Sequence, residues 1–314
     1  MRIFLAGATG AVGRRLLPML IDDGHEVVAM THTPAKADRL RAAGALPVVG
    51  DALDRDAVLG AVAGAQPDVI VHQMTALAGI ADLRHFDRVF ATTNRLRTEG
   101  TAHLLEGARA AGTRRLIVQG YTGWPFARTG GPIKDEDAPL DDHPPRAQRA
   151  TLAAMRAMES MVTDGAAGVD GVVLRYGALY GPGTSVAADG EITQLVRRRR
   201  LPVIGDGAGR WSFTHVDDAA GGVVAALSPG APAGRFAIVD DDPAPAAEWI
   251  PELAAAVNAP PPRRVPAWIG RLAAGEAVAM MMTDSRGASN ARARRALGWA
   301  PRHPTWREGF RQAL

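Results

Sequence analysis

Short apolar runs alternate with amphipathic helical patterns through the first half of the chain. The runs predict strands at 3–6, 26–30, 47–49, 69–72 and 115–119. The 3.6-residue patterns predict helices at 11–22, 34–43, 54–63 and 88–111. This alternation is typical of βαβ units, which build a parallel sheet with helices on both faces. Right-handed crossovers then place the loops that follow the strands along one edge, where such sheets bind ligands.

The pattern changes after Gly120, where residues 125–146 are rich in Pro, Gly and Asp and predict a long loop. Further helices are predicted at 147–163, 191–200, 217–227, 248–258 and 268–279, and further strands at 172–175, 211–215 and 235–239. The whole pattern predicts an α/β protein with a doubly wound Rossmann sheet and a smaller C-terminal α/β lobe.

Composition narrows the class of protein. The chain has 314 residues, of which 47% are hydrophobic and 22% charged, as expected of a soluble globular protein. It has no cysteine, which excludes disulfides, cysteine metal ligands and a cysteine nucleophile, and we expect no metal site. We see no secretory signal and no apolar stretch of about 18 residues, so we expect a cytoplasmic protein without a membrane partner.

The charge balance does not indicate a nucleic-acid partner. The isoelectric point is 9.8, yet the net charge is only +3. With two lysines and three tyrosines, little titrates between neutral pH and pH 10, so a small arginine excess raises the isoelectric point far. We therefore expect a small-molecule substrate and no nucleic acid.

The first strand ends in three glycines spaced three apart, immediately before the first helix. Glycine allows a sharp turn and close approach of a ligand, and the helix start offers free N–H groups to phosphates. In this strand–turn–helix context the spacing predicts a dinucleotide site. Its predicted residues are Gly7, Thr9, Gly10, Ala11, Val12 and Gly13.

The end of the second strand bears on which dinucleotide binds. NAD-preferring sites carry an acidic residue there, but this stretch holds Thr31, His32, Thr33 and Lys36. Hydroxyls, an imidazole and a lysine suit the 2′-phosphate of NADP, whereas a carboxylate repels it. We therefore predict NADP, with NAD as the alternative; His32 and Lys36 could also be ordinary exposed turn residues.

With these pieces, the chain resembles the extended short-chain dehydrogenase/reductase family, of the NAD-dependent epimerase/dehydratase type. The resemblance rests on six stretches, at 7–13, 50–51, 174–183, 201–207, 213–218 and 289–301. It implies a Rossmann domain at 1–175, with 211–240 returning to it, and a substrate lobe at 176–210 and 241–314. Members of this family are often homodimers.

The resemblance also assigns cofactor contacts. It places Asp51 and Ala52 at the adenine, and Gln73, Met74 and Thr75 at the nicotinamide ribose. Tyr176, Gly177 and Leu179 follow the sixth large strand and would face the nicotinamide end. Two alternatives stay open: Asp51 as a turn carboxylate that caps the next helix, and the adjacent His72 as a core histidine.

The family's usual Tyr-x-x-x-Lys pair has no match. The family places a glutamate four residues after the lysine, and counting back from Glu159 puts Met155 at the lysine position and Thr151 at the tyrosine position. As substitutes we predict Tyr121 as proton donor and Thr122 as polarising hydroxyl, both after the fifth strand. Tyr121 packing under its loop is the alternative. Arg149 or Arg156 could replace the lysine charge.

Substrate contacts are the least defined prediction. Trp124 indicates an apolar pocket, while Arg210 and Arg286 match positions where sugar-nucleotide members of the family bind a diphosphate. Taken together, the sequence predicts an NAD(P)-dependent oxidoreductase or epimerase that acts on a carbonyl or alcohol carbon. The alternatives are a dinucleotide-binding sensor without turnover, and non-redox chemistry on the same scaffold.

Overall fold

The computed structural model describes residues 1–77, 79, 83–166 and 168–313. Its strands are β1 Arg2–Ala6, β2 Glu26–Thr31, β3 Leu46–Val49, β4 Val69–His72, β5 Arg115–Tyr121, β6 Ile133–Lys134, β7 Asp170–Tyr176, β8 Ala178–Tyr180, β9 Val203–Ile204, β10 Arg210–Trp211, β11 Phe213–His215, β12 Gly234–Ile238, β13 Ala244–Pro245, β14 Arg264–Val265 and β15 Gly287–Ala288. Its helices are α1 Ala11–Asp22, α2 Ala37–Ala42, α3 Arg55–Ala65, α4 Phe86–Val89, α5 Ala91–Arg95, α6 Thr101–Ala110, α7 Arg149–Thr163, α8 Glu191–Arg197, α9 Val216–Leu227, α10 Ala246–Ala256, α11 Ala267–Ala274, α12 Glu276–Thr283, α13 Ala291–Leu297 and α14 Trp306–Ala313.

Seven strands form one parallel sheet in the order β12-β7-β5-β4-β1-β2-β3. The predicted doubly wound Rossmann sheet is thereby confirmed. The chain starts in the middle of the sheet and winds outward in both directions, so the order reverses between β1 and β4. Parallel sheets open a crevice outside the carboxyl ends of the strands at such a reversal, and this crevice is where their ligands bind.

Successive side chains of β1 pack on opposite faces of the sheet. Ile3 and Leu5 pack with one buried cluster that includes α1 and α9, while Phe4 and Ala6 pack with the opposite cluster from α3, α6 and α7. Side chains of a strand point to opposite faces in turn, so a strand covered on both sides must be apolar throughout. The five residues of β1 meet this condition except at its first position.

The predicted single helix at 88–111 is wrong. The segment forms α4, α5, a π-helical turn at Leu96–Gly100, and α6. The hydroxyl of Thr98 donates to the carbonyl of Asn94 at 3.0 Å, and Phe90 leaves helical geometry between α4 and α5. Local side-chain-to-backbone bonds of this kind compete with the regular helix ladder. The extra residue of the π turn changes which side chains face the sheet edge.

Two predictions in the second half also need correction. The loop at 125–146 contains β6, which pairs with β15 near the C-terminus. The strand predicted at 211–215 divides at Ser212, because β10 pairs with β13 whereas β11 pairs with β8. The hydroxyl of Ser212 accepts from the amide of Ala288 at 2.8 Å, so the residue between β10 and β11 is hydrogen-bonded to β15.

The C-terminal residues surround a separate apolar core built on Phe213, Trp249, Trp306 and Phe310. Within the described ranges, no helix is both long and apolar enough to cross a membrane. The same residues hold no group of three His, Cys, Asp or Glu side chains arranged to bind a metal ion.

Candidate active site

The glycine loop between β1 and α1 is closed by contacts between backbone atoms. Gly7 has a φ of +96°, and a Cβ there would lie 2.6 Å from the carbonyl carbon of Gln73. A Cβ on Gly13 would lie 2.2 Å from the carbonyl oxygen of Gly7. The Gly10 amide donates to that same oxygen at 3.0 Å. Side chains at positions 7 and 13 would therefore collide with the protein itself.

Gly10 differs from its two neighbours in the motif. It is exposed, has extended backbone with φ −76° and ψ 178°, and a Cβ there would touch only the Gly7 oxygen closely, at 3.3 Å. No side chain caps the start of α1. Bare amides at a helix start with open space before them form an anion site. The loop therefore fits the diphosphate of a dinucleotide.

At the end of β2, Thr31 is buried and its hydroxyl accepts from the amide of Thr33 at 3.2 Å. His32 and Lys36 are both exposed. His32 precedes the short 3₁₀ turn Pro34–Lys36, and Lys36 is its last residue. No carboxylate follows this strand before Asp38. The end of β2 therefore presents hydroxyl, imidazole and ammonium groups, which are compatible with a phosphate.

The turn after β3 presents one exposed and one buried predicted contact. Asp51 is exposed and one carboxylate oxygen accepts from the amide of Leu53 at 2.9 Å, while Ala52 is buried. The residue that caps α3 is Asp54, which accepts from the amide of Ala57 at 3.1 Å. The second carboxylate oxygen of Asp51 stays available for a ligand.

His72 at the end of β4 is a buried, hydrogen-bonded neutral imidazole. Its Nδ1 accepts from the amide of Met74 at 3.1 Å, so the proton on Nε2 faces the carbonyl of Leu96 at 3.2 Å. Burial lowers the pKa of His72 to about 4, and Arg97 adds to this effect. Its role is to hold the loop that carries Met74, in agreement with a core histidine.

Acidification should therefore reduce stability through His72. The unfolded imidazole, with a pKa of about 6.5, binds its proton before the folded one does, so stability falls as the pH decreases between these two values. The expected loss from this residue is about 3 kcal/mol at pH 4. Urea unfolding across this range should give a smaller decrease for His72→Gln than for the unchanged protein. His143→Gln, at an exposed histidine, should keep the original decrease; equal slopes for both variants would contradict the assignment.

The rest of the β4 loop faces the crevice to different degrees. Gln73 is buried, and its side-chain amide lies beside the Tyr176 hydroxyl without a hydrogen bond of regular geometry among the described residues. Met74 is half-buried and Thr75 is exposed. A buried amide without a regular hydrogen bond is costly, and a ligand that satisfies it removes this cost.

Thr151 and Met155, the two residues that counting back from Glu159 sets at the positions of the family's usual pair, make contacts of different kinds. Thr151 is buried, donates through its hydroxyl to Asp87 at 2.7 Å and accepts from the Asn94 amide at 3.0 Å. Met155 is buried in an apolar cluster with Phe86 and Trp124. The side chains that face the site from α7 are therefore a fully bonded hydroxyl and a thioether.

The cations proposed as substitutes lie elsewhere. Arg149 is exposed, and Arg156 donates to the backbone of Leu140 and Asp141. Both arginines face solvent or the loop at 125–146, and neither makes a hydrogen bond to Tyr121 among the described residues.

Tyr121 and Thr122 stand together where β5 ends. Tyr121 is half-buried in the apolar cluster, with its ring centroid 6.5 Å from that of Trp124, and burial raises its pKa. Thr122 is buried, its amide donates to the Tyr176 carbonyl at 2.9 Å, and its hydroxyl has no partner within the described part of the chain. Burial thus favours the neutral phenol, whereas a tyrosine that transfers a proton at neutral pH needs a lowered pKa.

The segment after β7 begins at Tyr176, the register partner of Tyr121 in the neighbouring strand. Tyr176 is buried and its hydroxyl donates to the carbonyl of Ala219 at 3.2 Å. A Cβ on Gly177 would lie 2.3 Å from the carbonyl oxygen of Ser212, so this glycine allows close packing. Leu179 on β8 is half-buried beside the first core.

The three predicted substrate residues each make contacts within the protein. Trp124 lies in the apolar cluster, with its ring edge-on to Phe86 at 5.3 Å. Arg210 donates to the carbonyl of Pro243 at 3.1 Å, and Arg286 donates to the carbonyl of Arg128. Both arginines thus make backbone contacts within the C-terminal part of the fold or with the loop at 125–146.

Three polar residues at this edge were missed by the sequence analysis. Asn94 links Thr151 to Arg97, which is buried. Gln148, just before α7, is fully buried and its amide has no partner among the described residues. Only the i, i+3 spacing of Asn94 and Arg97 could have indicated a shared helix face, and the π turn that places Arg97 has no clear sequence signal.

Comparison with known proteins gives the family and the fold. The sequence model of the NAD dependent epimerase/dehydratase family matches residues 3–238. A Streptomyces protein, 3-diazoavenalumate denitrifying reductase, is 47% identical over 314 residues, covering 99% of both chains. UDP-glucose 4-epimerase of Thermotoga maritima, solved with UDP-glucose, aligns with a TM-score of 0.78 at 20% identity, covering 100% and 97%. A human epimerase family protein solved with NADPH gives a TM-score of 0.73 at 22% identity, covering 100% and 99%.

Proposed function

The chain belongs to the NAD-dependent epimerase/dehydratase family, and from this premise we propose that it is an NAD(P)H-dependent reductase. Its substrate would be an organic acid that carries a diazo group, which leaves as dinitrogen. The 47% identity to a denitrifying reductase over the full chain supports this substrate class. So does the absence of an acid–base pair from the site.

The cofactor would lie across the carboxyl ends of the central strands. The loop with Gly7, Thr9, Gly10, Ala11, Val12 and Gly13 would hold the diphosphate, which Gly10 leaves room for. Asp51 and Ala52 would meet the adenine, and Gln73 to Thr75 the nicotinamide ribose, with Tyr176, Gly177 and Leu179 as a wall. The hydroxyls of Thr31 and Thr33, with His32 and Lys36, support NADP over NAD because they favour a 2′-phosphate.

One observation carries the choice of reaction: the side chains that we expect around the substrate carbon keep their protons. Thr151 is fully bonded, Met155 is apolar, and burial raises the pKa of Tyr121. Reduction of a carbonyl or epimerisation at an alcohol carbon needs a proton moved on or off the substrate oxygen. Such a site suits a reaction in which the substrate needs no proton.

Reductive loss of a diazo group meets that requirement. A reduced nicotinamide would supply hydride when bound. The substrate would react as its cationic aryl diazonium form: the hydride would form the new C–H bond, and the carbon–nitrogen bond would break with its electron pair leaving on dinitrogen. This cationic form would become a neutral C–H product without a proton from the protein. Tyr121, Thr122 and the apolar ring of Trp124 would orient the substrate and exclude water.

A second candidate is carbonyl reduction with Tyr121 as proton donor. The buried Thr122 hydroxyl without a partner favours it, because such a group would polarise a substrate oxygen. In that reaction a hydroxyl-bearing product forms and a proton is consumed at the substrate oxygen. The two candidates therefore predict different products and a different dependence on Tyr121.

The experiment mixes the purified protein with NADPH labelled with deuterium at the transferable position and with 3-diazoavenalumate. We expect one dinitrogen released per NADPH oxidised, and deuterium on the carbon that carried the diazo group. The hydride-transfer rate should be flat between about pH 6 and about pH 9, because no proton enters the step. Mass spectrometry of the gas and of the product measures both outcomes.

Tyr121→Phe is expected to change this rate less than about threefold, whereas removal of a general acid costs about 100-fold or more. Tyr180→Phe, which removes a buried phenol from the C-terminal core, is the matched control. Release of no dinitrogen, together with rapid Tyr121-dependent reduction of ketones, would establish the second candidate instead.

A further inference from the structure

Arg97 is a buried cation that pairs with no carboxylate in the part of the chain that the structure describes. Within that part its side chain makes one hydrogen bond, from a guanidinium nitrogen to the Asn94 side-chain oxygen at 3.2 Å. No carboxylate of the described residues pairs with it, and the residue is 7% exposed. Buried guanidinium groups otherwise lie against carboxylates or phosphates, because their desolvation costs several kcal/mol.

The π turn at Leu96–Gly100 places this cation beside the site. Asn94 bonds to both Arg97 and Thr151, and Thr151 stands at the position of the family's tyrosine. The guanidinium carbon also lies 6.0 Å from the ring centroid of Phe90, which packs with the apolar cluster of Tyr121 and Trp124. Single π turns occur frequently at functional sites, where they redirect a side chain.

Arg97 has little to contribute to the fold. Burial lowers its pKa to about 10, so it stays charged at neutral pH and its desolvation is not relieved by loss of the proton. By contrast, the buried Arg175 has a bidentate carboxylate partner in Glu159. Arg97 lowers the stability of the free protein through its desolvation, and it adjoins the site. We therefore expect a bound anionic ligand to compensate this loss.

We propose that Arg97 binds the carboxylate of the substrate, whose flat apolar body lies against the half-buried rings of Phe90 and Tyr121, which the buried rings of Phe86 and Trp124 support from behind. Phe86 and Phe90 are stacked at 4.3 Å, and Trp124 stands edge-on to Phe86. An aryl or conjugated carboxylate matches this combination of one cation and aromatic walls. The inference rests on the proposed function for its choice of substrate class over cofactor.

The cofactor is the other possible source of the anion. A Cβ on Gly100, at the end of the π turn, would lie 3.7 Å from the carbonyl oxygen of Ala52 and 3.9 Å from the Met74 side chain. The turn thus adjoins both loops proposed to hold the dinucleotide. The test must therefore separate a substrate carboxylate from a cofactor phosphate.

The experiment measures binding without turnover. Cinnamate and cinnamamide, which differ only in charge and one amide group, are titrated by calorimetry into protein saturated with NADP⁺. We expect the unchanged protein to bind cinnamate roughly 10- to 100-fold more tightly, the range for hydrogen bonds to a charged group. Arg97→Met should abolish this preference and Arg97→Lys should restore part of it.

Two further readouts exclude a structural role. The Kd for NADP⁺ should change less than about threefold in Arg97→Met, and its melting temperature should not fall, since an unpaired buried charge is removed. Arg109→Gln, at an exposed arginine of the following helix, should leave all values unchanged.

Equal binding of acid and amide, or no binding of cinnamate, would overturn the proposal. A large loss of NADP⁺ affinity in Arg97→Met would overturn it in favour of a cofactor phosphate. A clear preference for cinnamate without any release of dinitrogen from 3-diazoavenalumate would retain the anchor and reject the proposed reaction.

Discussion

Gly10→Val is expected to weaken NADPH binding by about 100-fold or more while the protein remains folded. The valine side chain would occupy the open space in front of the α1 amides, where we place the diphosphate. Loss of contacts to a charged group costs about 3 kcal/mol, which corresponds to this factor. The extended backbone of Gly10 suits valine, although the Gly7 carbonyl oxygen, 3.3 Å from the added Cβ, must shift slightly. The poorer helix start costs only about 1 kcal/mol. Quenching of protein fluorescence by NADPH and a thermal melt measure the two effects.

Two other glycines are the controls for this result. Gly60 lies on α3 with nothing within 4 Å of an added Cβ, so Gly60→Val should bind NADPH normally. Gly13→Ala should instead lower the melting temperature, because its Cβ would lie 2.2 Å from the Gly7 oxygen. If Gly10→Val bound NADPH with unchanged affinity, the glycine loop would not be the diphosphate site.

The central sheet could be predicted because its signals are local. Each large strand is a continuous apolar run, since helices cover both faces, and each run ends at a turn residue. The glycine loop was predicted for the same reason, because Gly7, Gly10 and Gly13 are adjacent in sequence. These elements need no knowledge of which distant segments meet.

The polar groups of the site could not be predicted because they depend on distant contacts. Thr151 is hydrogen-bonded to Asp87 and Asn94, which lie about 60 residues earlier in the sequence. The π turn brings Arg97 next to Asn94. The same holds for β6, a strand that exists only because β15 pairs with it. Helical periodicity describes 88–111 as one continuous face, and the structure divides that face in two.

Glu159→Gln should reduce the free energy of unfolding by about 3–5 kcal/mol, the largest stability effect that we expect from a conservative substitution. Glu159 accepts two hydrogen bonds from Arg175, at 2.7 and 2.6 Å, and both side chains are buried. Arg235 approaches the same carboxylate at 3.5 Å. A neutral amide at this place would leave the buried guanidinium of Arg175 without a charged partner, whereas Arg235 keeps Asp164 at 3.6 Å. Urea unfolding at neutral pH measures the loss.

The exposed pair of Arg95 and Glu99 is the control that distinguishes the effect of burial from the effect of bidentate geometry. It has the same bidentate form, at 2.8 and 2.7 Å, but lies in solvent. Glu99→Gln should therefore cost less than about 1 kcal/mol. The double variant Glu159→Met, Arg175→Met removes both buried charges and should recover much of the stability lost by Glu159→Gln, because desolvation then no longer opposes folding. If the double variant lost more stability than Glu159→Gln, the pair would stabilise the protein through packing. The charge on Glu159 would then not be what holds α7 against β7.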